Sequence, residues 1–338
     1  MKKLLFTLLF LTLGTAWGGA YEDGESAYFR KDYATAIKLW RPLAEQGNIL
    51  TQNLMGAMYN QGLGVLQDAK EAFRWWRLAA EQGNAEAQFR LGAGHSFGHG
   101  VTQDYKEAAK WFRLAADQGS AKAQFSLGFM YFFGQGVTQD YKEAVRLYRL
   151  AAEQGNADAQ SRLGFMYFFG HGVLEDHKEA VRWYRLAAEK NDAKAQTSLG
   201  VMYDEGLGVT QDYKEAAKWF RLAADQGSAK AQLQLGYTYA KGKGVLQDYK
   251  EAVKWYRLAA EQGDASAQVN LGFMYTKGQG VLQDYARAHM WFNLASSAGE
   301  TVNAAKNRDI IAKLMTPQQI EKAQEMAKAC QASNFKGC

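Results

Sequence analysis

The sequence predicts an all-α solenoid of helix-turn-helix units, and three observations carry that prediction. A Leu-Gly pair returns every 36 residues, at Leu91-Gly92, Leu127-Gly128, Leu163-Gly164, Leu199-Gly200, Leu235-Gly236 and Leu271-Gly272, with Met55-Gly56 as a weaker first copy. Around each pair, small and apolar residues fall at three- and four-residue steps, the spacing of one helix face. Glycine turns separate the helices at matching places in each unit, and no proline interrupts residues 48–299. A period of this length means that each unit is too small to bury its own apolar face and stacks on its neighbours.

In chain order, residues 1–20 read as an export signal. Lys2 and Lys3 precede an apolar run from Leu4 to Leu13, and Gly18 and Ala20 fit the positions three and one before a cut, which predicts a mature start at Tyr21. A retained anchor is the competing reading, but about ten apolar residues fall short of the roughly twenty needed to span a bilayer. Loss of the two lysines lowers the formal charge from +5 to +3, too little to argue for nucleic acid. Residues 21–47 form a degenerate capping repeat: Asp32-Tyr33, Ala36 and Trp40 align with the second helix of a unit, whereas the Gly-x-Gly-Val turn is missing. Pro42 lies within that helix pattern and predicts a kink.

Seven full units follow from 48 to 299, and Ser120 to Gly155 shows what each part does. Ala123, Leu127, Gly128 and Tyr131 share one face of a first helix, where Gly128 is expected to let another backbone come close. The helix stops at Gly134-Gln135-Gly136-Val137, because two glycines tolerate positive φ and let Val137 tuck back under the pair. Asp140 then caps a second helix, with Glu143 expected to reach back and complete a capping box. The pair recurs as Asp68/Glu71, Asp104/Glu107, Asp176/Glu179, Asp212/Glu215 and Asp248/Glu251 and is lost at Asp284/Arg287. Ala144, Tyr148 and Ala151 or Ala152 form the buried face, with Leu147 where other units have Trp. Gly155 suits the left-handed position that ends the helix, Asn191 replaces it once, and Asn156 caps the next helix. Arg113 and Asp117, Arg149 and Glu153, Arg185 and Glu189, Arg221 and Asp225, and Arg257 and Glu261 are four apart, which predicts a solvated face of ion pairs.

Residues 300–338 read as a C-terminal helical cap. One helix ends near Met315, and a second starts at Thr316-Pro317-Gln318-Gln319, with Thr as cap, Pro first and Gln third. Its face of Ile320, Ala323, Ala327 and Cys330 is expected to cover the open end of the stack. Cys330 and Cys338 are the two cysteines; in an exported chain they most simply pair, the alternative being a buried Cys330 and a loose Cys338. They offer too few ligands for zinc.

The unit resembles the Sel-one-like repeat, a branch of the tetratricopeptide superfamily. Residues 84–119 carry its pattern as Ala87, Leu91, Gly92, Gly98, Gly100, Val101, Asp104, Ala108, Trp111, Ala115, Ala116 and Gly119, with His95 at the tyrosine position. The resemblance covers roughly residues 21 to 331. It implies a right-handed superhelix that binds a protein or peptide as an adaptor, and a periplasmic or secreted location. Some disulfide-rich relatives have been associated with β-lactam-binding or envelope-hydrolase activity, which is an alternative here, but they carry a cysteine pair in each repeat and this chain does not. A third reading is a secreted factor that binds a host protein.

Little in the sequence looks like chemistry. Gly94-His95-Ser96-Phe97-Gly98 matches the G-x-S-x-G elbow of hydrolases, but that elbow needs a strand running into a helix, and these residues end a first helix. His99 and His171 stand two repeats apart, too far to share a metal at roughly 10 Å per helix pair. His177 and His289 are single substitutions on repeat helices, and the recurring carboxylates already serve as caps and ion-pair partners. No enzyme activity, cofactor or metal is therefore predicted. Function is expected where the units differ. If first helices line the groove, as in the family, the residues pointing into it are Phe129 and Phe132, Phe165 and Phe168, with Phe89 and Phe125 one turn earlier, then Tyr237 and Phe273. These aromatics either form an exposed strip for a polypeptide or pack against the next repeat.

Overall fold

The computed structural model describes residues 19–297 and 302–338, and every regular element among them is a helix. The expected export segment through residue 18 lies outside the described residues. The chain divides into two compact units, Met1–Ala159 with His171–Val173, and Gln160–Gly170 with Leu174–Cys338. The first holds α1 (residues 19–29), α2 (Tyr33–Glu45), α3 (Ile49–Gln61), α4 (Ala69–Glu81), α5 (Ala85–Phe97), α6 (Tyr105–Asp117), α7 (Ala121–Phe133), α8 (Tyr141–Glu153) and the start of α9 (Ala157–Phe169). The second holds the rest of α9 and α10 (His177–Glu189), α11 (Ala193–Glu205), α12 (Tyr213–Asp225), α13 (Ala229–Lys241), α14 (Tyr249–Ala260), α15 (Ala265–Lys277), α16 (Tyr285–Ser297), α17 (Val302–Ala312) and α18 (Pro317–Ala332).

First helices pack on the second helices before and after them: α5 on α4 and α6, α7 on α6 and α8, α11 on α10 and α12, α13 on α12 and α14. Small residues make this possible. α7 buries Ala123, Leu127 and Met130, and α8 buries Ala144, Val145, Leu147, Tyr148, Ala151 and Ala152. A Cβ on Gly128 would meet the Tyr148 ring at 3.0 Å, so this glycine makes room for an aromatic of the second helix and not for a backbone, as the sequence had suggested. The close backbone approach is at the turn. A Cβ on Gly136, whose φ is 68°, would run into the carbonyl of Tyr105, and Val137 packs half-buried beside it on the core. Helix α2 continues through Pro42 to Glu45.

Two further local expectations change. The Asp140 carboxylate caps α8, accepting from the Lys142 and Glu143 amides at 2.9 and 3.1 Å. The reciprocal half of the box is absent, because the Asp140 N–H already donates to the Tyr131 carbonyl at 2.9 Å. Glu143 instead holds Arg146, three residues on, at 2.6 Å. Equivalent pairs join Glu71 to Arg74 and Glu107 to Lys110, surface contacts worth about 0–1 kcal/mol each. A complete box forms at Thr316 and Gln319 of α18. The arginines expected to pair four residues on reach across to the next first helix: Arg113 donates to the Tyr131 hydroxyl, Arg221 to Tyr239, Arg185 to Tyr203 at 2.6 Å and Arg257 to Tyr275 at 2.8 Å.

A buried glutamine, unnoticed in the sequence, ties neighbouring helices together. Gln88 and Gln124 in the first unit, and Gln196 and Gln232 in the second, donate to the carbonyls of Ala80, Ala116, Ala188 and Ala224 in the preceding helix's last turn. Each side-chain oxygen accepts from a glutamine thirty residues on, as Gln124 does from Gln154 at 2.8 Å. Each of these carbonyls also accepts from the backbone amide three residues on, so the glutamine adds a second bond at the helix end and joins it to the next helix. At the C-terminus α16 packs on α17 and α18, which buries Ala323, Ala327 and Cys330. The Cα atoms of Cys330 and Cys338 lie 5.6 Å apart, within the reach of a disulfide.

Candidate functional site

A cleft of about 410 Å³ opens beside α5 and α7 in the first unit. Phe89, Phe97, Phe112, Phe125, Phe129 and Met130 line it, small Ala93 leaves it space, and Ser96, Gln103, Tyr105, Ser126 and Gln135 add polar groups without charge. Three aromatics predicted from the sequence, Phe89, Phe125 and Phe129, meet here, each half-buried. Phe89 rests on Phe112, with centroids 5.7 Å apart, and Phe125 on Tyr148 at 5.8 Å, so core rings hold the cleft rings in place. Phe132 does not line the cleft. Its ring lies 5.2 Å from Tyr141 and 6.2 Å from His171, which itself stacks on Tyr141.

The second unit places its predicted residues differently. Phe165 lines a cleft of about 330 Å³ with Ser161, Arg162, Tyr184, Lys194, Thr197, Ser198, Ser228 and Lys230. Phe168 lies 5.1 Å from His177 and packs half-buried against the core of α10 and α11. Tyr237 and Phe273 are 39% and 38% exposed, with Lys243 over the Tyr237 ring and Phe273 against Phe292.

Three exposed phenylalanines at the ends of first helices were missed. Phe97, Phe133 and Phe169 are 82%, 49% and 53% exposed and end α5, α7 and α9. Phe133 lies 4.5 Å from Phe129 and 4.8 Å from Phe132, and Phe169 repeats this with Phe165 and Phe168. The signal was present in the sequence, because other units have Gln61, Glu205, Lys241 and Lys277 at that place.

Ser96 lines the aromatic cleft from within α5, not from a strand-to-helix elbow. The neighbouring His95 is buried edge-on to Phe73, and His99 Nε2 meets Asn60 at 3.0 Å. No group of three or more His, Cys, Asp or Glu among the described residues is placed to hold a metal ion. Burial pushes the Tyr184 hydroxyl up to about 12, against the opposing effect of its hydrogen bond to Ser198. Burial, and then the charge of Arg308, lower the pKa of His289.

Helix pairs of one period, stacked through shared small residues and offering side-chain clefts, define a tetratricopeptide-like repeat protein of the all-α solenoid class. The Sel1 repeat profile matches residues 15–48, 50–84, 85–120, 121–156, 157–192, 193–228, 229–264 and 265–300, and the chain belongs to the Sel1 repeat family. It is similar to a Sel1 repeat protein from Oxalobacter formigenes, 35% identical over 88% of each chain, with a TM-score of 0.67. It is also similar to c5321, a protective antigen present in uropathogenic Escherichia coli strains displaying an SLR fold, 34% identical over 94% of this chain and 78% of that one, with a TM-score of 0.63. No curated protein matches the sequence. Sel1 repeat proteins are typically protein-interaction scaffolds. No helix among the described residues is long and apolar enough to cross a membrane.

Proposed function

We propose that the protein is an exported, non-enzymatic scaffold that holds an apolar segment of a partner polypeptide in the aromatic cleft of α5 and α7. One observation carries this reading: six apolar side chains converge on an uncharged cleft in which Phe97 is 82% exposed. A ring of this kind contributes roughly 1.5–3 kcal/mol when it is covered, so the exposed cluster favours a partner that covers it. Export to the periplasm or beyond is supported by the form of residues 1–20 and by the likeness to a protective antigen. A Cys330–Cys338 disulfide belongs to the same reading. The hydrolase alternative gains no support from Ser96, whose helical setting lacks the strained turn of an elbow.

A photo-crosslinking residue at position 97, placed in the native envelope, tests the proposal. The expected result is one polypeptide adduct that disappears when Phe129 is replaced by Ala, while crosslinking from position 237 is unchanged or absent. Adducts that survive Phe129→Ala, or that form equally from both positions, would place the partner elsewhere.

A further inference from the structure

We propose that the partner segment enters the aromatic cleft of α5 and α7 with a basic side chain, lysine or arginine, whose cationic end lies over the Tyr105 and Phe129 rings. The inference rests on the scaffold reading and names the chemistry that the cleft selects. The repeat supplies a template. Ser96, Tyr105, Phe129 and Gln135 all line the cleft, and three periods on their places are held by Asp204, Tyr213, Tyr237 and Lys243 of the second unit. There the Lys243 ammonium lies 4.7 Å from the Tyr213 ring centroid, 5.5 Å from that of Tyr237 and 3.3 Å from the Asp204 carboxylate. Lys241 lies against the same Tyr237 ring at 5.9 Å. A cation within about 6 Å of a centroid is attracted by the electron-rich ring face, so the second unit satisfies these rings with lysines of its own chain.

The turn residue at the place of Lys243 reaches the same neighbours elsewhere. His99 meets Asn60 at 3.0 Å, and His171 stacks on Tyr141 at 5.1 Å and lies 6.2 Å from Phe132. In the copy at α5 and α7 the two residues are Ser96 and Gln135, both neutral, and the cleft of about 410 Å³ opens there. Its rings are already positioned. Gln103 Nε2 donates to the Ser96 carbonyl at 2.7 Å and to the Tyr105 hydroxyl at 2.9 Å, and Phe129 rests on Phe133 at 4.5 Å. Lys122 lies 6.0 Å over the Phe89 ring, so that ring carries a cation of the chain itself and the entering group is assigned to the other two.

Lysine and arginine join an apolar stem to a charged tip, which is the pattern of the cleft. The stem covers Phe97 and Phe125, while the tip meets ring faces and the side-chain oxygens of Ser96 and Gln135. No charged residue lines the cleft, so an acidic side chain finds no cation in it. A wholly apolar side chain would cover Ser96 and Gln135 without giving them a partner, which costs part of what the rings gain.

Nuclear magnetic resonance titration of the full chain tests the assignment, with butylammonium and butylguanidinium set against their neutral counterparts, butanol and butylurea. Both cations are expected to shift the Phe97, Phe129 and Gln135 amides saturably and to bind about fivefold more tightly than the neutral compounds. Ser96→Asp brings the carboxylate of the second unit to the rings, so it should tighten both cations about tenfold and leave the neutral compounds unchanged. Ser96→Asp combined with Gln135→Lys rebuilds the pair of Asp204 and Lys243 inside the cleft, so it should fold as the second unit does and no longer bind either cation. The proposal is overturned if the neutral compounds bind as well as the cations, if Ser96→Asp does not tighten the cations, or if the double variant binds them as the wild type does. Should the neutral compounds match while adducts from position 97 still disappear with Phe129→Ala, the scaffold reading stands and the basic side chain alone is refuted.

Discussion

Replacing Gln124 by alanine is expected to destabilise the first unit by about 2–4 kcal/mol. This side chain is 4% exposed, donates to the Ala116 carbonyl at 3.2 Å and accepts from Gln154 at 2.8 Å. It therefore joins the last turn of α6 to α7, and α7 to the residue that follows α8. Each such bond contributes about 1 kcal/mol net, and the vacated space adds roughly 1–2 kcal/mol because the two helices cannot close on it fully. Gln154 is exposed, so water can take its place at the Gln124 oxygen, and Gln154→Ala should cost about 1 kcal/mol or less.

Gln124→Leu separates the two contributions. It retains most of the volume, and the Ala116 carbonyl still accepts from the Gly119 amide at 2.9 Å, so a cost of about 1–2 kcal/mol is expected. Urea titrations followed by circular dichroism should rank the midpoints wild type, Gln154→Ala, Gln124→Leu, Gln124→Ala, with a common slope. If Gln124→Leu matches or exceeds the wild type, volume and not hydrogen bonding is what the glutamine supplies. If both Gln124 variants lie within about 0.5 kcal/mol of the wild type, the amide does not hold the helices together.

Three further outcomes are expected. His289 stands where other units have Val145, Val181 and Val253, is 3% exposed and leaves Nδ1 without a partner. Burial and Arg308 lower its folded pKa, so the unfolded chain takes up the proton first and stability is lost as pH falls below about 6.5; His289→Val should add about 1 kcal/mol at neutral pH and flatten that acid slope, and an unchanged slope would refute the assignment. Gly119→Ala should cost about 1 kcal/mol, from its positive φ of 88° alone, whereas Gly136→Ala should cost several times more because its Cβ also meets the Tyr105 backbone; equal melting temperatures would refute the close approach. Protein recovered from its native compartment should show a mass that starts near Tyr21 and no free thiol when denatured without reductant, and two reactive thiols or a mass that includes Met1 would count against export.

The period and the glycines made the helix pairs legible, since each pair must solve the same packing problem in 36 residues and leaves the same marks. Asp140 was readable as a cap because its partners are its own next residues. What Glu143 and Arg113 do was not readable, because each had a plausible partner within one helical turn. Glu143 lost its expected amide to the Tyr131 carbonyl, and Arg113 found the Tyr131 hydroxyl eighteen residues away. Local spacing lists candidates for a charged side chain; the neighbouring helix chooses among them.

The clefts were harder to read for a related reason. Successive helix positions turn by about 100°, so Phe132 and Phe133 face different surroundings although they are chemically identical. Phe132 is half-buried near Tyr141, while Phe133 at the helix end is 49% exposed. Choosing the positions one and four after the Gly of each unit as groove-facing selected the former and passed over the latter, five after it. In a repeat, however, a place that varies between units is informative, since Asn53, Phe89, Phe125, Ser161, Thr197, Leu233 and Val269 show that packing does not fix it. Aromatics gathered at one pair of first helices therefore mark where this chain departs from what the repeat alone requires.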